Sequence, residues 1–163
     1  MPTPPPIEDT VMQTARLADL FDGTKWGEEF TREEIELIAP HLHLATYADG
    51  ENVFREGDRQ DFMAFIVSGQ VDIVKENTDA AEAIIITLHP RTHLGEMAFV
   101  DGEPRSATAR ARGNVQLLIL PKERFHRILA DHPGVGVKML MKIARLLSRR
   151  LRQTTGRLVC API

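Results

Sequence analysis

The stretch Leu94 to Ala111, LGEMAFVDGEPRSATARA, decides how the rest of the chain is read. A carboxylate, Glu96, follows a glycine, and an arginine, Arg105, opens a run of very small residues leading into the apolar NVQLLILP. Ordinary core segments lack this arrangement. Strand alternation puts Arg105, Ala107, Ala109 and Ala111 on one face and Ser106, Thr108, Arg110 and Arg112 on the other. An arginine heading a face without bulk suits a phosphate, whose oxygens match the guanidinium fork. An ionised Glu96 only accepts hydrogen bonds, so it would repel a phosphate and suits a sugar hydroxyl. EMAF is read as one helical turn after Gly95, its free N–H groups available to an anion.

Short apolar or alternating runs surround this stretch: LHLATYADG, ENVFREGD, DFMAFIVSGQVDIVKENTD and EAIIITLHP, punctuated by Gly50, Gly57, Gly69, Gly102 and Gly113. Such spacing predicts an antiparallel barrel or jelly roll, with a tight hairpin turn at Ser68-Gly69. A helix is expected from Thr10 to near Gly23. A second begins at Thr31, where Thr31 and Glu34 have capping-box spacing and Phe30 and Ile35 form a hydrophobic staple, and it stops before Pro40. Helical periodicity returns in KERFHRILADHP and in VKMLMKIARLLSRRLRQTT. The class is mostly β with flanking helices. The expected organisation is a disordered proline-rich tail over residues 1–9, a jelly-roll domain over 10–133, and a C-terminal helix with a short tail over 134–163.

The chain has 163 residues, 43% of them hydrophobic, enough for one domain with a real core. A net charge of -3 argues against nucleic-acid affinity for the whole. A single cysteine, Cys160, allows no internal disulfide and no cysteine zinc cluster. His41 and His43 lack a third ligand in register, so no metal is expected. No apolar run approaches the roughly 20 residues of a membrane span, and MPTPPPIEDT is not a signal sequence. No membrane partner and a cytoplasmic location are the expectations.

Gly95, Glu96, Ala98, Arg105, Ala107 and Thr108 stand in the order of the phosphate-binding cassette of cyclic nucleotide-binding domains: glycine, glutamate, a small residue two later, then Arg-x-Ala-Thr. YADGENVFREGDRQDFMAFIVSGQVDIV is similar to that family's early strands and PKERFHRIL to the helix after its barrel, so the resemblance covers roughly residues 31 to 157. The resemblance implies a jelly roll in which Glu96 binds the ribose 2'-hydroxyl and Arg105 the cyclic phosphate. Backbone amides around Met97, Ala98, Ser106 and Ala107 complete the site, and the Ser106 hydroxyl reaches a phosphate oxygen. A cyclic phosphate carries one negative charge, which one arginine and a few amides can neutralise.

On the last helix Val137, Leu140, Ala144, Leu147, Leu151, Thr154 and Leu158 form a heptad seam, while Met139, Ile143 and Leu146 suit packing on the helix's own domain. Gly156 weakens the helix near its end, so Leu158 is expected outside it. RRLRQTT resembles the dimerisation helix of the catabolite activator protein family, where a threonine at the place of Thr154 contacts the adenine amino group across the dimer. That similarity favours cyclic AMP, whereas a hydroxyl residue at the place of Ser106 favours guanine in some family members. Lys138, Lys142, Arg145, Arg149, Arg150, Arg152 and Arg157 occur with no acid after Asp131, and are expected as a solvated face or a surface for an effector protein. Too few residues follow Gly156 for a DNA-recognition motif, so no DNA is expected. The expectation is a non-enzymatic module without a cofactor, whose ligand is cyclic AMP or else cyclic GMP. It forms a homodimer through its last helix and signals by moving that helix. The rival is a ligand-free docking or oligomerisation domain with Arg105 and Glu96 paired internally.

Overall fold

The computed structural model describes residues 7–160, with side chains over 11–158. Helix α1 spans Ile7–Asp22, starting three residues before Thr10; the remainder of the expected tail lies outside the described residues. A 3-10 turn at Gly27–Glu29 leads to α2, Arg32–Ile38. Thr31 caps α2: its Oγ1 accepts from Glu34 N at 3.2 Å while Glu34 Oε1 accepts from Thr31 N at 2.9 Å. The spacing thus fixes the helix start as the sequence predicts.

Six antiparallel strands follow: β1 His43–Tyr47, β2 Asn52–Phe54, β3 Phe62–Glu76, β4 Glu82–Leu88, β5 His93–Leu94 and β6 Thr108–Pro121. β6 pairs with β1, β2 and β3, and β3 also pairs with β4 and β5. This is a β roll flanked by helices, the predicted class. One expectation is corrected. Ser68-Gly69 is not a hairpin turn, because β3 runs through it and stays paired with β6, shifting register on either side of Ser68. Gly69 uses its positive φ of 83° to bend the strand, and a Cβ there would stand 2.3 Å from Asn114 O. The chain reverses instead at Asn77, whose Oδ1 accepts from Asp79 N and Ala81 N, both at 3.0 Å.

Both faces of β3 and β6 are covered, which explains why NVQLLILP is continuously apolar. Leu117 and Ile119 join Ala64, Ile66, Ala109 and Ala111 inside the roll. Leu118 and Leu120 join Met63, Phe65, Phe21, Trp26 and Phe125 under the helices. Each such large side chain stabilises the fold by roughly 1.5–3 kcal/mol through burial.

α3 spans Glu96–Asp101, α4 Lys122–Asp131 and α5 Pro133–Cys160. α5 enters the helical layer through Val135, Met139 and Ile143, with Leu146 half-buried. Its seam is exposed except at Leu147, which packs on the core: Val137 is 54% exposed, Leu151 67% and Leu158 73%. α5 continues past Gly156, so Leu158 lies within it.

Candidate functional site

The segment between β5 and β6 is held by backbone bonds from three sides. β5 pairs with β3, and Gly95 (φ 82°) then turns the chain into α3. A Cβ at Gly95 would stand 2.8 Å from Arg105 Nη1 and 2.9 Å from Phe62 O, so only glycine allows so close an approach. Arg105 N donates to Asp58 O and Gly57 N to Arg105 O, both at 2.8 Å. Glu56 N donates to Thr108 Oγ1 at 2.9 Å, and Lys75 Nζ to Ser106 O at 2.9 Å.

Arg105 is 3% exposed. Its Nη1 donates to Gly95 O at 3.0 Å and its Nη2 to Phe62 O at 2.7 Å. Its guanidinium carbon stands 4.0 Å from the Phe54 ring centroid and 4.7 Å from that of Phe62. Its Nε–H is buried without a partner, and no carboxylate within ion-pair distance is found among the described residues. Burial pushes the pKa of this cation down, against the weaker pull of Asp61, Asp58 and Glu96. A buried charge without a counter-ion is costly and calls for an anion.

Glu96, also 3% exposed, does not pair with Arg105, contrary to the rival reading of the sequence. Its Oε1 lies 2.6 Å from Arg150 Nη1 on α5, a charge contact without hydrogen-bond geometry that leaves this oxygen an unsatisfied acceptor. Its Oε2 lies 3.7 Å from His93 Nε2, and His93 Nδ1 accepts from Trp26 Nε1 at 3.2 Å. Burial lowers the His93 pKa, and Glu96 opposes this.

Gly95, Glu96, Ala98 and Arg105 thus come together in or under α3, with Met97 exposed on its outer side. Ser106 is exposed, and Ala107 and Thr108 are half-buried where the segment enters β6. Thr154 is exposed on α5, one turn beyond Arg150, whose carbonyl accepts its hydroxyl at 3.0 Å. Sequence reasoning missed Phe54, Phe62, His93 and Arg150 as site residues. Arg150 stands four residues before Thr154, on the same helix face, which was the available signal. The basic residues of α5 are also not simply a solvated face: Lys138 pairs with Glu34 at 2.9 Å, Lys142 and Arg145 pair with Glu29, and Arg150 with Glu96. Surface cavities of about 220 Å³ beside Arg91 and about 300 Å³ between α1 and α2 lie away from this segment. Neither has a buried charged residue in its lining, so Glu96 and Arg105 are the candidate site.

The profile of the family described as cyclic nucleotide-binding domain matches residues 44–132. The chain is 28% identical over 124 residues to the CRP-like cAMP-activated global transcriptional regulator of Mycobacterium tuberculosis, covering 76% of this chain and 54% of the relative. It is 35% identical over 92 residues to the cAMP-dependent protein kinase regulatory subunit of Blastocladiella emersonii, covering 56% of this chain and 23% of the relative. Both relatives are regulatory proteins, and the chain spans about half or less of their length. Among solved structures, a cyclic nucleotide-binding domain from Methylobacillus flagellatus shares the fold with a TM-score of 0.77 at 23% identity, over 92% of this chain and 84% of that one. The catabolite activator protein of Thermus thermophilus has a TM-score of 0.71 at 29% identity, over 85% and 61%. With the profile spanning more than half of the residues and ending beyond the segment that holds Glu96 and Arg105, the chain belongs to the cyclic nucleotide-binding domain family.

Proposed function

We propose that the chain is a regulatory module that binds a cyclic nucleotide, cyclic AMP in preference to cyclic GMP, and answers by releasing the distal part of α5 to act on a partner protein. One observation carries this reading: the Arg105 guanidinium is buried with its Nε–H unbonded and no carboxylate in ion-pair reach among the described residues, beside a buried Glu96 whose Oε1 has only the charge contact from Arg150. Buried charges are almost always compensated, and an uncompensated cation beside a carboxylate matches a ligand with one anionic and one hydroxyl group. The cyclic phosphate neutralises Arg105, with amides near Ala98, Ser106 and Ala107 as further donors. The ribose 2'-hydroxyl donates to Glu96 Oε1 and competes there with Arg150.

Loss of that contact frees the turn of α5 that carries Thr154, which offers its hydroxyl to the adenine amino group. The exposed seam residues Val137, Leu140, Leu151 and Leu158 support a homodimer through α5, in which Thr154 reads the base bound by the partner. The module performs no catalysis and needs no cofactor. Calorimetric titration with cyclic AMP and cyclic GMP tests the reading: micromolar or tighter binding, stronger for cyclic AMP and lost in Arg105→Ala, is expected. No heat and no thermal stabilisation with either nucleotide would overturn it.

A further inference from the structure

Resting on that reading of Glu96, we infer that His93 is a positioning residue for the ribose-binding carboxylate, and that Trp26 holds its ring in the one tautomer able to do this. The Trp26 indole N–H is a donor only, so the ring nitrogen 3.2 Å away, His93 Nδ1, must carry a lone pair. A neutral imidazole then has its proton on Nε2, the nitrogen that faces Glu96 Oε2 at 3.7 Å. The N–H dipole orients the carboxylate through Oε2 and leaves Oε1 directed at its own partner. The same geometry disfavours the doubly protonated ring, because a proton on Nδ1 would face the indole N–H.

The charged groups around His93 divide unevenly. Glu96 on α3 favours the imidazolium, while Arg150 and Lys142 on α5 and Lys25 beside Trp26 oppose it, together with burial. Trp26 is 1% exposed and packs edge-on against Phe65, with its ring centroid 5.2 Å from that of Phe65. The donor is therefore fixed by the core beneath the helices, and Lys142 of α5 stands 6.0 Å over the same ring. If Trp26 did not hold Nδ1 bare, an imidazolium at His93 would pair with Glu96 Oε2 and weaken the carboxylate as an acceptor for the ribose hydroxyl. The relay keeps nucleotide affinity insensitive to mild acid.

Nitrogen NMR of the histidine ring, combined with cyclic AMP titrations between pH 5.5 and 7.5, tests this inference. The parent is expected to show Nδ1 unprotonated and Nε2 protonated at His93, with nearly constant affinity across that range. Trp26→Phe is expected to raise the His93 titration midpoint and to weaken binding roughly three- to tenfold, more at the acid end. His93→Ala is expected to weaken binding by a similar factor. His93→Gln, a neutral amide donor, is expected to restore most of the loss without pH dependence. The two His93 variants carry the test if Trp26→Phe does not fold. A parent ring protonated at Nδ1, or Trp26→Phe and His93→Ala proteins binding cyclic AMP with the parent's affinity and pH profile, would overturn the relay and leave the proposed function standing. A parent that binds no nucleotide would defeat the proposed function itself, and is seen in the parent's titration alone.

Discussion

The segment from Gly95 to Thr108 and helix α5 both carry charge to one site, but they are held there by different forces. The segment is fixed by backbone hydrogen bonds to the turn at Gly57 and Asp58, and by a guanidinium clamped between two carbonyls and two rings. The apolar anchors of α5 end at Leu147; from Arg149 to Leu158 every residue is exposed, and Arg150 alone of these reaches Glu96. Ion pairs whose side chains are partly solvated contribute little each, so this half of the helix is drawn from the low-stability end of the molecule. For the proposed function, a rigid receiver joined to a loosely held reporter means that the ligand needs only modest differential affinity to shift the helix.

The sharpest way to break this contrast is Arg105→Ala. It leaves Gly95 O and Phe62 O without their donor and opens a void between Phe54 and Phe62, so a loss of about 2–4 kcal/mol in denaturant unfolding is expected, with nucleotide binding abolished. A stable Arg105→Ala protein would mean that the receiver is less tightly built than its contacts imply. Gly95→Ala comes next. The new methyl must displace Arg105 Nη1 or Phe62 O at a positive φ, at a cost of about 1–3 kcal/mol read as a lowered Tm.

Acid tests the buried histidines outside these two regions. His93 and His41 have pKa values lowered chiefly by burial, so the unfolded chain binds protons that the native protein refuses. Stability is therefore expected to fall as pH drops below about 6.5, the ordinary histidine value, and to keep falling until the native rings titrate. Denaturant midpoints measured from pH 7.5 to 5 check the direction, and a flat profile would contradict it. Glu29→Gln is expected to have the smallest effect. It weakens the pairs with Lys142 and Arg145, so global stability should change by less than about 1 kcal/mol. Amide exchange in α5 should rise, and less so at high salt, where the parent's pairs are already screened.

Much of this was legible in the sequence, and for local reasons. The Thr31 cap, the glycine before Glu96 and the small residues after Arg105 act within a few positions of one another, so their spacing carries the geometry. Ser68-Gly69 misled because a positive-φ glycine serves a strand bend as well as a hairpin turn, and only the pairing of β3 with β6 decides between them. The contact of Trp26 with His93 joins residues 67 positions apart and has no local signature. The basic stripe of α5 was visible, but its acids lie on α2, on the 3-10 turn before it and on α3, so its use within the chain became evident only from the packing.

Amide exchange across residues 147–154, with and without saturating cyclic AMP, is the most direct test of coupling between receiver and reporter. If the ribose hydroxyl displaces Arg150 from Glu96, this turn of α5 exchanges faster in the bound protein, and Arg150→Ala shows the faster rate without ligand. Exchange left unchanged by bound cyclic AMP would show that α5 does not respond through Glu96.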